Sequence, residues 1–326
     1  MQLSFFDHAM KYHGGKKSMK FLNEMKEIIP FEAIEKILIE KNVYKPNKGK
    51  TGRPSIPSKI LTGSLFLQNW YGLSDPMTEE LIHDRISFRK FLDIRDEDTI
   101  PDETTICKFR NKLIKEELLG DIFDEVKKMM ESKRLILNEG TLIDATLIHS
   151  SEPKRKKDAT GKVISNEAHD KDATYTSKRG HKHHGLKMHI ATDTNGIIKK
   201  VIATTASTHD STQFDALTEK EDKAIFADSG YMQKARKISL RAKGVFAGIV
   251  ERRVRGQSRL RAKQSRNNTR FSKIRCLVEL PFAFIKHHMG CKETRYLGIE
   301  KNQQHFFMLA ACYNLRRTPA LMRARN

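Results

Sequence analysis

The sequence predicts a two-part α/β (α+β) protein: an all-helical segment over residues 1–132, then a domain over residues 133–326 built on one mixed sheet with flanking helices. Three observations predict it. Apolar residues recur at helical spacing through the first part. At Gly140 the pattern switches to a short, β-branched, alternating run. From there the order reads strand, two-stranded hairpin, helix, strand, helix, strand, helix. An antiparallel opening followed by βαβ-like units gives a mixed sheet with helices on both faces.

The elements follow in order. Ser58–Tyr71 carries Ile60, Leu61, Leu65, Leu67 and Trp70 at helical spacing, with Ser58 as a candidate cap. A second helix starts near Asp75–Pro76. A third follows Pro101, in DETTICKFRNKLI, with an Asp or Thr cap and a Lys/Arg-rich face. Residues 116–133 form an amphipathic helix. TLIDATLI, after Gly140, alternates as a strand does. Residues 149–185 are polar, with Lys154, Arg155, Lys156, Lys157, Lys178, Arg179 and several histidines, and read as a basic loop or flexible insertion. LKMHIAT and IIKKVIAT flank Asn195-Gly196, a strong hairpin signal. Residues 211–219 and 231–242 are helical, KAIFADSG and GVFAGIV are strands, and 251–270 is a second basic segment. Helices at about 271–289 and 302–316 close the chain. No internal repeat is visible.

Composition narrows the function. The chain has 61 Lys+Arg against 40 Asp+Glu, a formal net charge of +21. That balance favours a polyanionic partner. Nucleic acid fits better than a membrane surface, because aromatics are only 8% of residues and no amphipathic anchor stands out. No run of about 18 apolar residues exists, so no membrane-spanning helix is expected. The first residues lack the charge and apolar pattern of a signal peptide. Cys107, Cys276, Cys291 and Cys312 are scattered without a CxxC pair, as in a reduced cytosolic protein. His181, His183, His184 and His189 lack regularly spaced Cys or acid partners, and a basic segment along DNA fits them better than zinc.

Three acids stand out. Asp144 lies inside a strand, where Asp is depleted; an exposed edge strand would also explain it. Asp228 ends an apolar strand and points to the crevice where open α/β sheets bind ligands; it could equally cap the next helix. Glu279 shares a helix face with Arg275 and Lys286, and a plain Arg–Glu surface pair is the alternative. Together the three are more specific than apart. Close carboxylates raise one another's pKa, and hard divalent cations relieve that cost. Two such ions about 3.5–4 Å apart suit in-line displacement at phosphorus. Arg275, Lys286 and the basic segments, including Arg252, Arg253 and Arg255, would then hold the phosphate backbone. His209-Asp210 is either near that site or turn chemistry with Asp210 as a cap.

With these residues in view, the sequence resembles bacterial insertion-sequence transposases of the DDE type, within the insertion-sequence-five family. The resemblance covers nearly the whole chain. It rests on RPSIPSKILTGSLFLQNWYGLSD, DRISFRKFL and PDETTICKFRNKL in the first part. In the second it rests on GTLIDATLI, GLKMHIATDTNG, STHDS, FADSGY and RCLVELPFAFIKHHMG. It implies a ribonuclease-H-like fold for 133–326 and a DNA-binding role for the helical 1–132. It places the catalytic, metal-holding acids on Asp144, Asp228 and Glu279. The related signature Tyr-x2-Arg-x3-Glu-x6-Lys is met by Arg275, Glu279 and Lys286, but Ser272 stands where the tyrosine would. It further implies two Mg2+ or Mn2+ ions per site, and double-stranded DNA (inverted repeats and target) as partner. A homodimer or higher oligomer on DNA and a cytoplasmic, nucleoid-associated location complete the expectation. Lys108 and Arg110, on the helix after Pro101, are candidates for a DNA-facing element, against a plain solvated face.

Overall fold

The computed structural model describes residues 17–46, 55–95, 98–137, 139–157, 160, 163–167, 169–178, 180–253 and 256–325. The chain divides into two compact units, residues 1–129 with 315–326, and residues 130–314. The sequence reading kept 133–326 together; the end of the last helix groups instead with the N-terminal helices.

The first unit is helical: α1 (Lys17–Ile28), α2 (Phe31–Glu40), α3 (Ser58–Tyr71), α4 (Asp75–Asp84), α5 (Ile86–Leu92), α6 (Glu103–Lys115) and α7 (Leu118–Ser132). The sequence pointed to four of these one by one. Of the other three, α5 has only seven residues, too few for a period to show. The helix α3 is buried on nearly every side, Ser58 and Ile60–Trp70 included. A helix apolar or small all round belongs at a centre. Its Trp70 packs against Phe21, Phe66 and Phe91, ring centroids 5.1–5.9 Å away. Its polar residues turn inward on the helix itself: Ser64 Oγ donates to Ile60 O at 2.7 Å and Asn69 Nδ2 to Leu65 O at 2.8 Å. Ser58 is not the cap; Pro57 holds that position with no side-chain bond. Ser74 caps α4, and Asp102 caps α6 by accepting from Thr105 N at 2.6 Å.

Arg110 requires a correction. It is buried, at 8% exposure, and its guanidinium is committed inside the unit. Nη2 donates to Asp75 Oδ2 at 2.8 Å, Nη1 bonds Asp75 Oδ1, and Nη1 reaches Gln68 Oε1 at 3.2 Å. The helical period along α6 explains this: Ile106, Phe109, Arg110 and Leu113 share the inward face. Lys108 lies on the exposed face.

The second unit carries the sheet. Its strands are β1 (Thr141–His149), β2 (Lys154–Lys157), β3 (Val163–Glu167), β4 (Thr174–Lys178), β5 (His181–Thr192), β6 (Ile198–Thr205), β7 (Ala224–Ala227) and β8 (Phe246–Ile249). The six-stranded sheet runs β4-β5-β1-β7-β8, with β6 also on β5. Strands β1, β5 and β6 are antiparallel neighbours, while β7 and β8 continue parallel to β1. The order β6-β5-β1-β7-β8 with that change of sense is the ribonuclease-H-like arrangement. The helices are α8 (Phe214–Leu217), α9 (Lys234–Ala242), α10 (Ala262–Arg275), α11 (Glu279–His287) and α12 (Ile299–Arg325).

The segment 149–185 is not a loop. It holds the antiparallel pair β2–β3, then β4 paired on the first residues of β5. Short polar strands give no apolar alternation, so composition alone hid them. The basic segment 251–270 likewise becomes helix from Ala262 onward.

Local chemistry sets the register. Asp193 accepts N–H bonds from Asn195, Ile197 and Leu137 at 2.8–2.9 Å, and Gly196 takes φ +77° to close the β5–β6 turn. At the start of β1, buried Lys199 donates to Thr141 Oγ1 at 3.1 Å and pairs with Asp222 at 3.2 Å, and Thr141 itself bonds Asp222. This network aligns β1 with the turn leading into β7. One face of the sheet buries Ile143, Ala191, Phe214, Ile225, Ala227, Tyr231 and Ile249 as a core.

Removing one member of a committed interior pair exposes the other to an unmet desolvation cost. Arg110→Ala is therefore expected to lower the unfolding free energy by about 2–4 kcal/mol, while Lys108→Ala changes it by less than about 0.5 kcal/mol. Urea denaturation of the two variants checks this.

Candidate active site

Strand register gives Asp144 and Asp228 neighbouring backbone positions. In the parallel β1–β7 ladder, Thr141 pairs with Ile225, Leu142 with Phe226 and Ile143 with Ala227. One step further, the two strands present Asp144 and Asp228. Adjacent strands lie about 4.8 Å apart, so the carboxylates start from neighbouring backbone positions. β1 is flanked by β5 and β7, so the edge-strand explanation of Asp144 fails. Asp228 does both things weighed for it. It ends β7 and also caps a short 3-10 turn (Ser229–Tyr231), its Oδ1 accepting from Gly230 N at 2.7 Å. A Cβ on Gly230 would lie 2.9 Å from that oxygen, so the glycine leaves room for the bond.

Glu279 opens α11 after a 3-10 turn that follows α10. It joins the pair through Arg275. Arg275 Nη1 donates to Asp144 Oδ2 at 2.7 Å, and Nη2 donates to Glu279 Oε1 at 3.1 Å. The Arg–Glu pair is therefore not a plain surface pair, because the same guanidinium spans to the central strand. Asp144 Oδ1 accepts from Ala145 N at 2.9 Å. Burial pushes the Asp144 carboxyl up to about 6, and the charges of Asp228 and Glu279 add to it; the Ala145 N–H and Arg275 oppose the rise. Asp144 thus senses the charge of both other acids.

The chemistry of the donor set suits a hard cation: three carboxylates, one of them destabilised as an anion by the other two. Among the described residues, no three His, Cys, Asp or Glu side chains stand close enough to hold a metal ion. The guanidinium of Arg275 takes the counter-charge position between Asp144 and Glu279.

The remaining candidates divide. Arg252 Nε donates to Ser229 Oγ at 2.8 Å, beside Asp228, so its exposed side chain borders the acids. Arg253 is exposed and donates to Ser258 O at 3.1 Å within its own loop. Arg255 lies outside the described residues. Lys286 Nζ donates to Leu147 O at 2.7 Å, bracing β1, and burial holds its pKa below the usual lysine range. It therefore supports the strand that carries Asp144, with two further N–H groups not used in that bond. Ser272 is exposed on α10. His209, not Asp210, caps its turn, accepting from Ser211 N at 3.3 Å, and Asp210 pairs with Lys187 at 2.9 Å.

Sequence reasoning gave no separate role to Tyr231 or Lys187, and weighed His189 only as a zinc ligand or as part of a basic segment along DNA. Tyr231 and His189 are fully buried, and their place beside polar groups comes from cross-strand packing that no spacing reveals.

Residues 137–315, more than half of the chain, match the family described as "Transposase DDE domain", and residues 11–112 match "Transposase domain (DUF772)". The chain belongs to the DDE transposase family. Membership makes it an enzyme of the metal-dependent DNA cleavage and strand-transfer class, with DNA as partner and divalent metal ions as the family's cofactor. A solved structure of the piggyBac transposase synaptic complex with hairpin DNA is similar at a TM-score of 0.45 and 10% identity, over 94% of this chain and 76% of that one. No helix among the described residues is long and apolar enough to cross a membrane.

A raised carboxyl pKa makes the native state bind the extra proton, so Asp144 favours folding below its unfolded value near 3.8 and loses that contribution as pH rises through about 6. The loss is on the order of 2–3 kcal/mol. Metal-free wild type should therefore lose more stability between pH 4 and 6.5 than Asp144→Asn does. Chemical denaturation of both proteins across that range measures the difference.

Proposed function

We propose that this chain is an insertion-sequence-five-type transposase. It binds the terminal inverted repeats of its own element, cleaves at the element ends and joins the resulting 3′-OH ends to target DNA. The observation that supports this best is the β1–β7 register, which sets Asp144 beside Asp228 while Arg275 ties Glu279 to the same spot.

Asp144, Asp228 and Glu279 are the catalytic acids and the metal ligands. Two Mg2+ ions, with Mn2+ as substitute, would supply activation of the attacking oxygen and stabilisation of the leaving one in an in-line displacement at phosphorus. The chain's own residues prepare for that. Asp144 sits on a central strand braced by Lys286, and so offers its oxygens with little freedom to move. Asp228 has one oxygen fixed by Gly230 N, which orients the other. Glu279, with its side chain 58% exposed on a helix start, is the adaptable ligand. Arg275 screens the acids from one another before cations arrive and turns to the DNA phosphate once they do. Arg252 stands at the approach to Asp228, and Arg252, Arg253 and Arg255 contact the DNA backbone.

The helical segment 1–132 takes the inverted-repeat role, with α6 entering the major groove through the exposed Lys108. Arg110 contributes to that helix from inside. Two ends must be joined in one reaction, so the active form is a homodimer or higher oligomer on DNA. It works in the cytoplasm on the nucleoid.

Asp228→Asn should abolish strand cleavage, by at least ~10³-fold, while binding of end DNA in Ca2+ survives. Normal nicking by this variant removes Asp228 from the centre. DNA affinity should fall steeply with salt, and Arg252→Ala should reduce the slope of log affinity against log salt by about 1. A flat salt response of wild type contradicts the role given to the basic segments.

A further inference from the structure

Helix α10 is unlike the other long helices of its unit. None of its 14 residues is buried, and from Arg252 to Val278 the chain has no Asp or Glu at all. Its inward residues still hold it to the sheet. Glu251 N donates to Asn268 Oδ1 at 3.0 Å, Asn268 Nδ2 donates to Glu251 O at 2.9 Å, and Gln264 Nε2 donates to Glu251 Oε2 at 2.6 Å. Phe271 packs edge-on against Phe226 and Phe246, ring centroids 6.2 and 5.7 Å away. Phe226 lies two residues before Asp228, so strand alternation puts both on one sheet face. α10 therefore runs along the face that carries the acids, and its last residue is Arg275.

The outward side of α10 is a stripe of cations. Lys263, Arg266, Arg270 and Lys273 are all exposed and are spaced by three, four and three residues. That spacing keeps them on one side of the helix over about 15 Å. Like charges so placed repel and weaken a helix, and this stretch supplies no acid to offset them. A polyanion laid along the stripe does, and the phosphate backbone of DNA has the matching charge.

At the end of the stripe Arg275 is turned the other way. Its Nη1 donates to Asp144 Oδ2 at 2.7 Å and its Nη2 to Glu279 Oε1 at 3.1 Å. One guanidinium thus joins an acid of the central strand to the acid that opens α11. An incoming cation must break two charge-assisted bonds and meet the charge of the guanidinium itself.

We propose that Arg275 is a lock on the carboxylate centre and that DNA bound along α10 releases it. This rests on the reading of Asp144, Asp228 and Glu279 as metal ligands. A strand that follows Arg270 and Lys273 brings its next phosphates to the end of α10. There Arg275 exchanges its carboxylates for a phosphate, an anion its planar fork fits equally well. Glu279, with its side chain 58% exposed, is then free to turn toward the two aspartates. The acids accept cations only weakly until the substrate is in place. Such coupling is reciprocal: if DNA tightens cation binding, cations tighten DNA binding by the same factor.

The test is Mn2+ titration calorimetry on the full chain, free and saturated with a pre-cleaved end duplex, with the duplex alone as blank. DNA should tighten Mn2+ binding of wild type at least about fivefold. Arg275→Ala should bind Mn2+ more tightly than wild type in the absence of DNA, and DNA should add little further. A gain of affinity comes neither from misfolding nor from the loss of a merely structural arginine. Arg275→Gln, which keeps most of the side chain and drops the charge, replaces the alanine variant if the latter does not fold. Changing Lys263, Arg266, Arg270 and Lys273 together to Gln should lower the slope of log DNA affinity against log salt by about 3–4. Equal Mn2+ affinity with and without DNA overturns the proposal. So does a folded Arg275 variant that binds Mn2+ no more tightly than wild type, or a salt slope that the four substitutions leave unchanged. Asp228→Asn runs alongside. If it binds Mn2+ as wild type does, the underlying metal-site reading is wrong. If it loses Mn2+ while DNA leaves the wild-type affinity unchanged, only the lock is wrong.

Discussion

The centre depends on an electrostatic constraint: carboxylates drawn together by strand register repel one another, and something positive must stand among them. The β1–β7 ladder gives Asp144 and Asp228 neighbouring backbone positions. Burial removes the water that would screen them. Arg275 answers with two charge-assisted bonds, to Asp144 on the sheet and to Glu279 four residues along its own chain. The neighbouring architecture serves this arrangement. Lys199, Thr141 and Asp222 align the strands at their start, and Lys286 braces β1 near its end.

That constraint connects the basic character of the chain to its chemistry. A net charge of +21 gathers a polyanion, but the acids would repel the same polyanion. A guanidinium already at the acids lowers that repulsion, and divalent cations would lower it further. The exposed Arg252, bonded to Ser229 next to Asp228, brings the basic segment to the edge of the acids.

Much of this was legible in the sequence, and the exceptions have physical causes. The strand TLIDATLI, the Asn195-Gly196 turn and the apolar run ending in Asp228 carry short-range signals, and the structure places them as expected. The three acids stood out because an Asp in a strand and an acid at a strand end each break a local rule. Their meeting was not local. It follows from a parallel pairing between residues more than 80 positions apart. The strands inside 149–185 escaped notice because their sequences, KRKK, VISNE and TYTSK, show no apolar alternation, on which strand reading depends. Arg110 looked like a surface cation because charge is read before burial. Its position beside Ile106, Phe109 and Leu113 on the inward face, with Asp75 to receive it, decides otherwise.

The central claim is that Asp144, Asp228 and Glu279 share divalent cations in place of Arg275. The most direct measurement is a crystal structure of the chain with Mn2+, read by anomalous scattering. The account predicts Mn2+ density bounded by the three carboxylates, with the Arg275 guanidinium no longer bonded to Asp144. Mn2+ bound elsewhere, or a centre in which Arg275 keeps both bonds at saturating Mn2+, would contradict it.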